Sequence, residues 1–272
     1  HLDHDGNCFD VVARSGAELW AHEVYGKLLG VGRRDADTDW RQRFIDLPES
    51  RDSEWEDRIK DHREKSQKLS LTNPVTDGTV SEDFTFYYTP GHSPDELCIL
   101  YNRVLFSGDH ILPLITPHPS VSLTYEIFRD ELPEGYQYEN RYYGLKTFIR
   151  SLKRVATLGN DITVMPAHRA YFRGKFNPIG LDRALVIADH HRARCQYLID
   201  MVKKETLDLA TVTRKLFPHL TLDNQLFRMA FSEAISHIEL LEDMGDVSLV
   251  GEETKSVRWN GTENFAAFFE HS

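Results

Sequence analysis

The alternation of apolar and polar positions changes period several times along the chain, and each change predicts an element. Residues 8–32 read as a helix–turn–strand stretch in which Trp20, Val24 and Leu28 share one helical face. Residues 52–69, DSEWEDRIKDHREKSQKL, carry both charge signs at helical spacing. That pattern predicts a solvated helix or arm, with a lid over a substrate as the functional alternative. From about residue 75 the period shortens to two. An Asp77-Gly78 turn is followed by FTFYYTPG, ELCILYN and RVLFSGD, which read as short strands broken by turns. Residues 113–145 form a Pro- and Tyr-rich connection, and a connection that long in a compact domain is often functional. A helix over 143–157 then leads into a buried strand, DITVMPAH.

Near residue 180 the pattern becomes helical, over 182–203, 207–216 and 223–243. The last of these is strongly amphipathic: Phe227, Phe231, Ala234, Ile238 and Leu241 follow one another at spacings of four and three. After Gly245, VSLVGEETKSVRWNG predicts a β-hairpin. Three helices and a hairpin outline a winged-helix-like module, so the chain divides into a larger N-terminal domain over 1–180 and a C-terminal module over 181–272.

Composition narrows the function classes. With 272 residues, 40% hydrophobic and 28% charged, the chain is an ordinary globular protein. Its apolar runs fall short of the roughly 20 residues that cross a membrane, so no membrane partner is expected. A net charge of −11 opposes nucleic acid, although Arg141, Lys146, Arg150, Lys153 and Arg154 make a local basic run along one predicted helix. Cys8, Cys98 and Cys195 are odd in number and far apart. They form neither a disulfide framework nor a cysteine zinc knuckle, and they suit a reducing cytoplasm.

The chemistry lies in four pieces: HLDHDGN at 1–7, TPGHSPDE at 89–96, LFSGDH at 105–110 and VMPAHR at 164–169. The last three set a His or Asp at or just after the end of an apolar strand, where a rigid backbone can aim a ligand. Imidazole and carboxylate together suit zinc, and also iron or manganese. Each piece alone has a bland reading. A lone buried His is more often a hydrogen-bonded core residue, and a Gly-Asp after a strand is usually a turn. The joint, ordered occurrence makes His1, Asp3, His4, His92, Asp109 and His168 candidate metal ligands. His110 reads equally as a support for the ligands and as a structural residue. His118 is a candidate pocket residue, whereas His190, His191 and Tyr171 read as structural, and nothing marks Cys8 as a nucleophile.

TPGHSP followed by LFSGDH closely resembles the paired central motifs of the metallo-β-lactamase superfamily. HLDHDGN resembles the later part of its His-x-His-x-Asp-His motif without the first His, and PAHR resembles its last His motif, all in register over residues 1–170. The resemblance implies a mixed α/β (α+β) fold, the αβ/βα four-layer sandwich, with its N-terminal strands missing here. A preceding segment of strands ending in a His two positions before His1 is therefore expected. The resemblance further implies two divalent metal ions, zinc foremost, with iron or manganese as alternatives. His1 and His92 would hold the first, Asp3, His4 and His168 the second, and Asp109 both; Asp3 would orient the attacking water, making Asp3 and Asp109 the catalytic pair.

The tail, with HHRARCQYLIDMV, TRKLFP and the hairpin, resembles the winged-helix extension of the β-lactamase-like protein 2 group. The superfamily cuts thioesters, lactones, β-lactams and phosphodiesters, so fold does not choose the substrate. The expected activity is metal-dependent hydrolysis of a small ester-type substrate, a thioester or lactone. One alternative is a single-stranded RNA endonuclease. Another is a winged-helix nucleic-acid-binding regulator with a vestigial metal site. The regulator is disfavoured because the 223–243 helix sets Asp223, Glu233, Glu239, Glu242 and Asp243 against a single Arg228 on its expected outer face. The module then serves packing or dimerisation, which leaves a homodimer open.

Overall fold

The computed structural model describes residues 1–29, 53–218, 224–251 and 255–271. The chain opens on two short helices, α1 (Leu2–Asp5) and α2 (Cys8–Ser15). Strand β1 (Trp20–His22) runs directly into α3 (Glu23–Leu28), where the His22 ring accepts the Val24 backbone N–H. Trp20 is therefore on a strand, not on a helix with Val24 and Leu28 as the spacing suggests. Packing decides the difference. Residues 20 and 22 fall on one face of a strand, and their rings stack on Phe86 and Tyr88 with centroids 6.1 and 3.7 Å apart.

The charged stretch forms α4 (Ser53–Ser66); residues 30–32 and 52 lie outside the described residues. This arm is tied down: His62 bonds Asp5 at 2.8 Å and Lys65 bonds Asp10 at 3.1 Å, bracing α1 and α2. β2 (Asn73–Val75) pairs parallel with β1 in a two-stranded layer.

The main sheet begins with β3 (Val80–Ser81), β4 (Phe84–Tyr88), β5 (Leu97–Tyr101) and β6 (Val104–Gly108), an antiparallel meander. The long connection that follows contains α5 (Leu123–Phe128) and two 3₁₀ turns before α6 (Leu145–Ala156). The apolar face of α6, Leu145, Phe148, Ile149, Leu152 and Val155, joins Cys98, Leu105 and Val164 of the sheet in one core. This crossover returns β7 (Thr163–Pro166) parallel to β6. A small hairpin, β8 (Tyr171–Phe172) and β9 (Lys175–Phe176), precedes β10 (Ile179–Gly180), which completes the order β10-β7-β6-β5-β4-β3. β7 is half-buried, contrary to the expected buried strand. Val164 is 2% exposed on the α6 side, while Met165 and its register partner Phe106 are 46% and 43% exposed on the other.

The tail comprises α7 (Asp182–Val202), β11 (Leu207–Asp208), α8 (Leu209–Leu216), α9 (Asn224–Asp243), the hairpin β12 (Val247–Val250) and β13 (Ser256–Trp259), and α10 (Phe265–His271). The helices and hairpin follow the periodicity. β11, which completes a β11-β13-β12 sheet, and α10 carry too little periodic signal to be foreseen. Asp208 starts α8 by accepting the Thr211 N–H. On α9, Phe227, Phe231, Ala234, Ile235, Ile238 and Leu241 are buried, in the same core as α6 and the sheet.

The expected acidic outer face of α9 needs correction. Glu233 pairs with Arg194 of α7. Glu239 accepts the backbone N–H groups of Ser122 and Leu123 at 2.7 and 3.0 Å. Both carboxylates bind neighbouring elements, and Asp223 lies outside the described residues. Among the described residues, no helix is long and apolar enough to cross a membrane.

Candidate metal centre

Topology brings the motif pieces to one edge of the main sheet. The end of β4 pairs with the start of β5, Tyr88 opposite Leu97, while parallel pairing sets Gly108 of β6 opposite Pro166 of β7. His92, Asp109 and His168 therefore leave the sheet on the same side. Gly91 makes the first of these turns possible. Its φ is 133°, and a Cβ there would sit 2.4 Å from Phe148 Cα, so only glycine lets the loop lie against α6. The Asp109 turn is joined to that of His168 by the Ala167 N–H, which donates to Gly108 O at 3.0 Å. His1, Asp3 and His4 come from α1, which is held through Asp5: its carboxylate accepts the Tyr25 hydroxyl at 3.1 Å and bonds His62.

The six candidates form two ligand sets that share one residue: Asp3, His4, Asp109 and His168, and His1, His92 and Asp109, the donor atoms within each set lying within 4.8 Å of one another. This is the partition the resemblance implies. Asp109 Oδ2 is 3.1 Å from His4 Nε2 and 3.4 Å from His92 Nε2, and its Oδ1 is 3.4 Å from His168 Nε2. Asp3 Oδ2 lies 3.3 Å from His168 Nε2, and His92 Nε2 lies 3.3 Å from His1 Nδ1. Asp109 Oδ1 is buried yet has no hydrogen-bond partner among the described residues. A buried carboxylate oxygen is costly unless something positive meets it. An orphaned oxygen between converging imidazole nitrogens fits divalent cations coordinated by N and O ligands.

The electrostatics agree. Burial alone would push the Asp109 carboxyl up, but hydrogen bonds and charge from His4 and His92 override it and hold it well below the usual carboxylate range. The same bond to Asp109 raises the His4 pKa. Burial opposes protonation of His92, yet the bond to Asp109 and the charges of Glu96 and Asp109 raise it to about 9. The carboxylates gather positive charge around one point.

Sequence reasoning missed two supports. Glu96 is buried at the foot of β5, where burial pushes its carboxyl to about 7. Its one visible signal is a charged residue opening an apolar strand. The second is the His118 carbonyl, which accepts the His92 Nδ1–H at 2.6 Å and so aims Nε2 into the cluster. The His118 ring itself turns away, toward the Met229 carbonyl of α9 at 3.1 Å. His110 is buried edge-on to Phe148, and burial lowers its pKa to about 3. Tyr171 is 60% exposed and packs on Phe176. Burial raises the Cys8 thiol pKa, unlike that of an activated nucleophile.

No family model matches the chain, and no curated protein matches it in sequence. Solved structures do. A metallo-beta-lactamase family protein from Thermus thermophilus superposes with a TM-score of 0.62 and 24% identity, over 90% of this chain and 72% of that one. A beta-lactamase domain protein from Burkholderia ambifaria superposes with a TM-score of 0.64 and 20% identity, over 89% of this chain and 65% of that one. The chain thus spans about two thirds of the second structure's length. Its fold is the metallo-β-lactamase fold.

Proposed function

We propose that this protein is a metal-dependent hydrolase of the metallo-β-lactamase superfamily, acting on a small ester-type substrate, a thioester or lactone. The observation that carries the reading is Asp109, one carboxylate shared by two ligand sets with a buried oxygen that has no hydrogen-bond partner among the described residues. His1, His92 and Asp109 would hold one divalent ion and Asp3, His4, His168 and Asp109 a second, with zinc the best match to the donors. When bound, such ions supply Lewis acidity, polarising a carbonyl oxygen and lowering the pKa of water toward neutrality.

The chain's own residues do the rest. The Asp3 side chain is 59% exposed, on the open side of the cluster, where it can orient the attacking water and accept its proton. The His118 carbonyl holds His92 in orientation, and Asp5, anchored by Tyr25 and His62, holds α1. Pro113, Leu114, Phe176, Pro178 and Ile179 line an open cleft of about 310 Å³ together with the polar side chains of Lys175, Asn177 and Arg183.

The basic run does not favour RNA. Lys146 pairs with Asp243, Arg154 with both oxygens of Asp77, and Arg141 with Glu139, while Lys153 donates to the Phe269 carbonyl. Lys146, Lys153 and Arg154 are thus occupied holding α6 to other parts of the chain. The free thiols of Cys8, Cys98 and Cys195 suit the cytoplasm.

The test is turnover by zinc-loaded protein on an acyl thioester, a lactone and single-stranded RNA, with and without a chelator. Chelator-sensitive turnover of a thioester or lactone is expected. RNA cleavage without ester turnover would overturn the substrate class, and chelator-insensitive turnover would overturn metal dependence.

A further inference from the structure

A second group of metal-binding side chains lies between α7 and α9. His191 and His237 are each 0% exposed, and Glu233 completes a set whose donor atoms lie within 4.8 Å of one another. Glu233 and His237 are four residues apart on α9 and so share a face; His191 meets them from α7. The His237 Nδ1–H donates to the Glu233 backbone carbonyl at 2.6 Å, so its Nε2 lone pair is aimed at His191 Nδ1, 3.1 Å away. An imidazole whose other nitrogen is held by a carbonyl is the usual posture of a metal ligand. The 3.1 Å separation is close to the roughly 3.3 Å expected between two tetrahedral ligands at about 2.0–2.1 Å from zinc.

Hydrogen bonding alone leaves the group incomplete. If His191 donates from Nδ1 to His237, its Nε2 is an acceptor, and that atom is buried without a hydrogen-bond partner among the described residues. If the proton sits on Nε2 instead, two lone pairs face each other and need a cation between them. Arg194 does not supply it, because its guanidinium is committed to the Glu233 carboxylate and lies over the Phe217 ring. A carboxylate has room for both, with Arg194 on one side and a metal on the other.

We propose that His191, Glu233 and His237 form a separate site for a zinc-class divalent ion that ties α7 to α9. Two imidazoles favour zinc, copper or nickel over magnesium or calcium. The inference is independent of the strand-tip cluster and of any hydrolytic activity.

The test is metal content. Chain equilibrated with zinc and desalted should carry one equivalent more than His191→Leu or His237→Leu, by elemental analysis. The same single-equivalent loss should appear in an Asp109→Ala background, which cripples the strand-tip sets and keeps the two centres distinct. Equal zinc content in folded wild type and variants would overturn the site. Should the leucine variants not fold, zinc-edge anomalous diffraction from wild-type crystals decides. A peak between His191 Nδ1 and His237 Nε2 supports the site, and a flat map there means a hydrogen-bonded histidine pair only.

Discussion

The strand-tip cluster and the His191–His237 pair gather the same kind of side chain under opposite conditions. At the strand tips, His4 and His92 lie against Asp109, a carboxylate that pairs with no Lys or Arg among the described residues, and their pKa values rise. Between α7 and α9 the nearest carboxylate, Glu233, is held by Arg194, and burial pushes both imidazoles well below the ordinary histidine value. Burial lowers both imidazoles in the second place and the Arg194 charge adds to it, whereas at the strand tips the hydrogen bond to Asp109 and nearby carboxylate charge outweigh burial. Where a carboxylate hydrogen-bonds the imidazole its charged form is favoured; where burial meets no such bond the neutral form is.

The largest expected effect comes from removing that anion. Asp109→Ala should lower kcat/KM for the ester substrate by about 10³-fold or more, as when a metal-held nucleophile is lost. Its circular dichroism should match wild type, because Asp109 stands on a turn beyond β6. Wild-type turnover in this variant would break the contrast at its root.

Next is the brace between the two regions. Glu239 of α9 caps the start of α5, in the connection whose His118 carbonyl aims His92. Glu239→Ala should weaken zinc binding at the strand tips about 10-fold, the low end for loss of an outer support. Competition with a chromogenic chelator reads it, and Glu239→Gln should restore part of the loss. Unchanged affinity in Glu239→Ala would show that the regions are energetically separate.

His22 sharpens the rule as a buried imidazole outside both clusters. Tyr88 stacks on it, Tyr136 and Glu23 face it, and Asp95 and Asp77 add weaker raising charges, yet burial lowers its pKa from 6.5 to about 4. The unfolded chain therefore takes up the proton first as pH falls. The stability His22 contributes is full above about 6.5 and is lost progressively down to about 4. Urea midpoints across that range should fall less steeply in His22→Asn than in wild type. An equal slope would contradict the assignment.

The smallest effect belongs to the basic helix. Lys146→Ala removes a half-exposed ion pair with Asp243 and should cost under about 1 kcal/mol, with ester turnover unchanged. Thermal melts and initial rates check it; a large fall in turnover would assign that face to the substrate.

Much of this was legible in the sequence. Strand alternation located β4, β5 and β6, and the spacing of Phe227, Phe231, Ile238 and Leu241 located α9 and its buried face. The six candidate ligands stood out because glycine or proline flanks each motif piece that carries them. What was illegible depends on partners distant in the chain. Trp20 is on a strand because Phe86 lies opposite it, and Glu233 and Glu239 look like surface charges until Arg194 and the Ser122 amide are placed beside them. The role of the His118 carbonyl has no periodic or motif signal, and that of Glu96 shows only as a charge at the start of an apolar strand. The His191–His237 meeting joins residues 46 apart on two helices, and the separate patterns of those helices do not show it.

The most direct measurement is anomalous diffraction at the zinc edge from crystals soaked in zinc, read at Asp109. Two peaks are expected, one on each side of its carboxylate, with His1 and His92 about one and Asp3, His4 and His168 about the other, at roughly 2.0–2.2 Å. A map with no peak touching Asp109, or with a single ion that leaves one ligand set empty at saturating zinc, would contradict the shared-carboxylate centre.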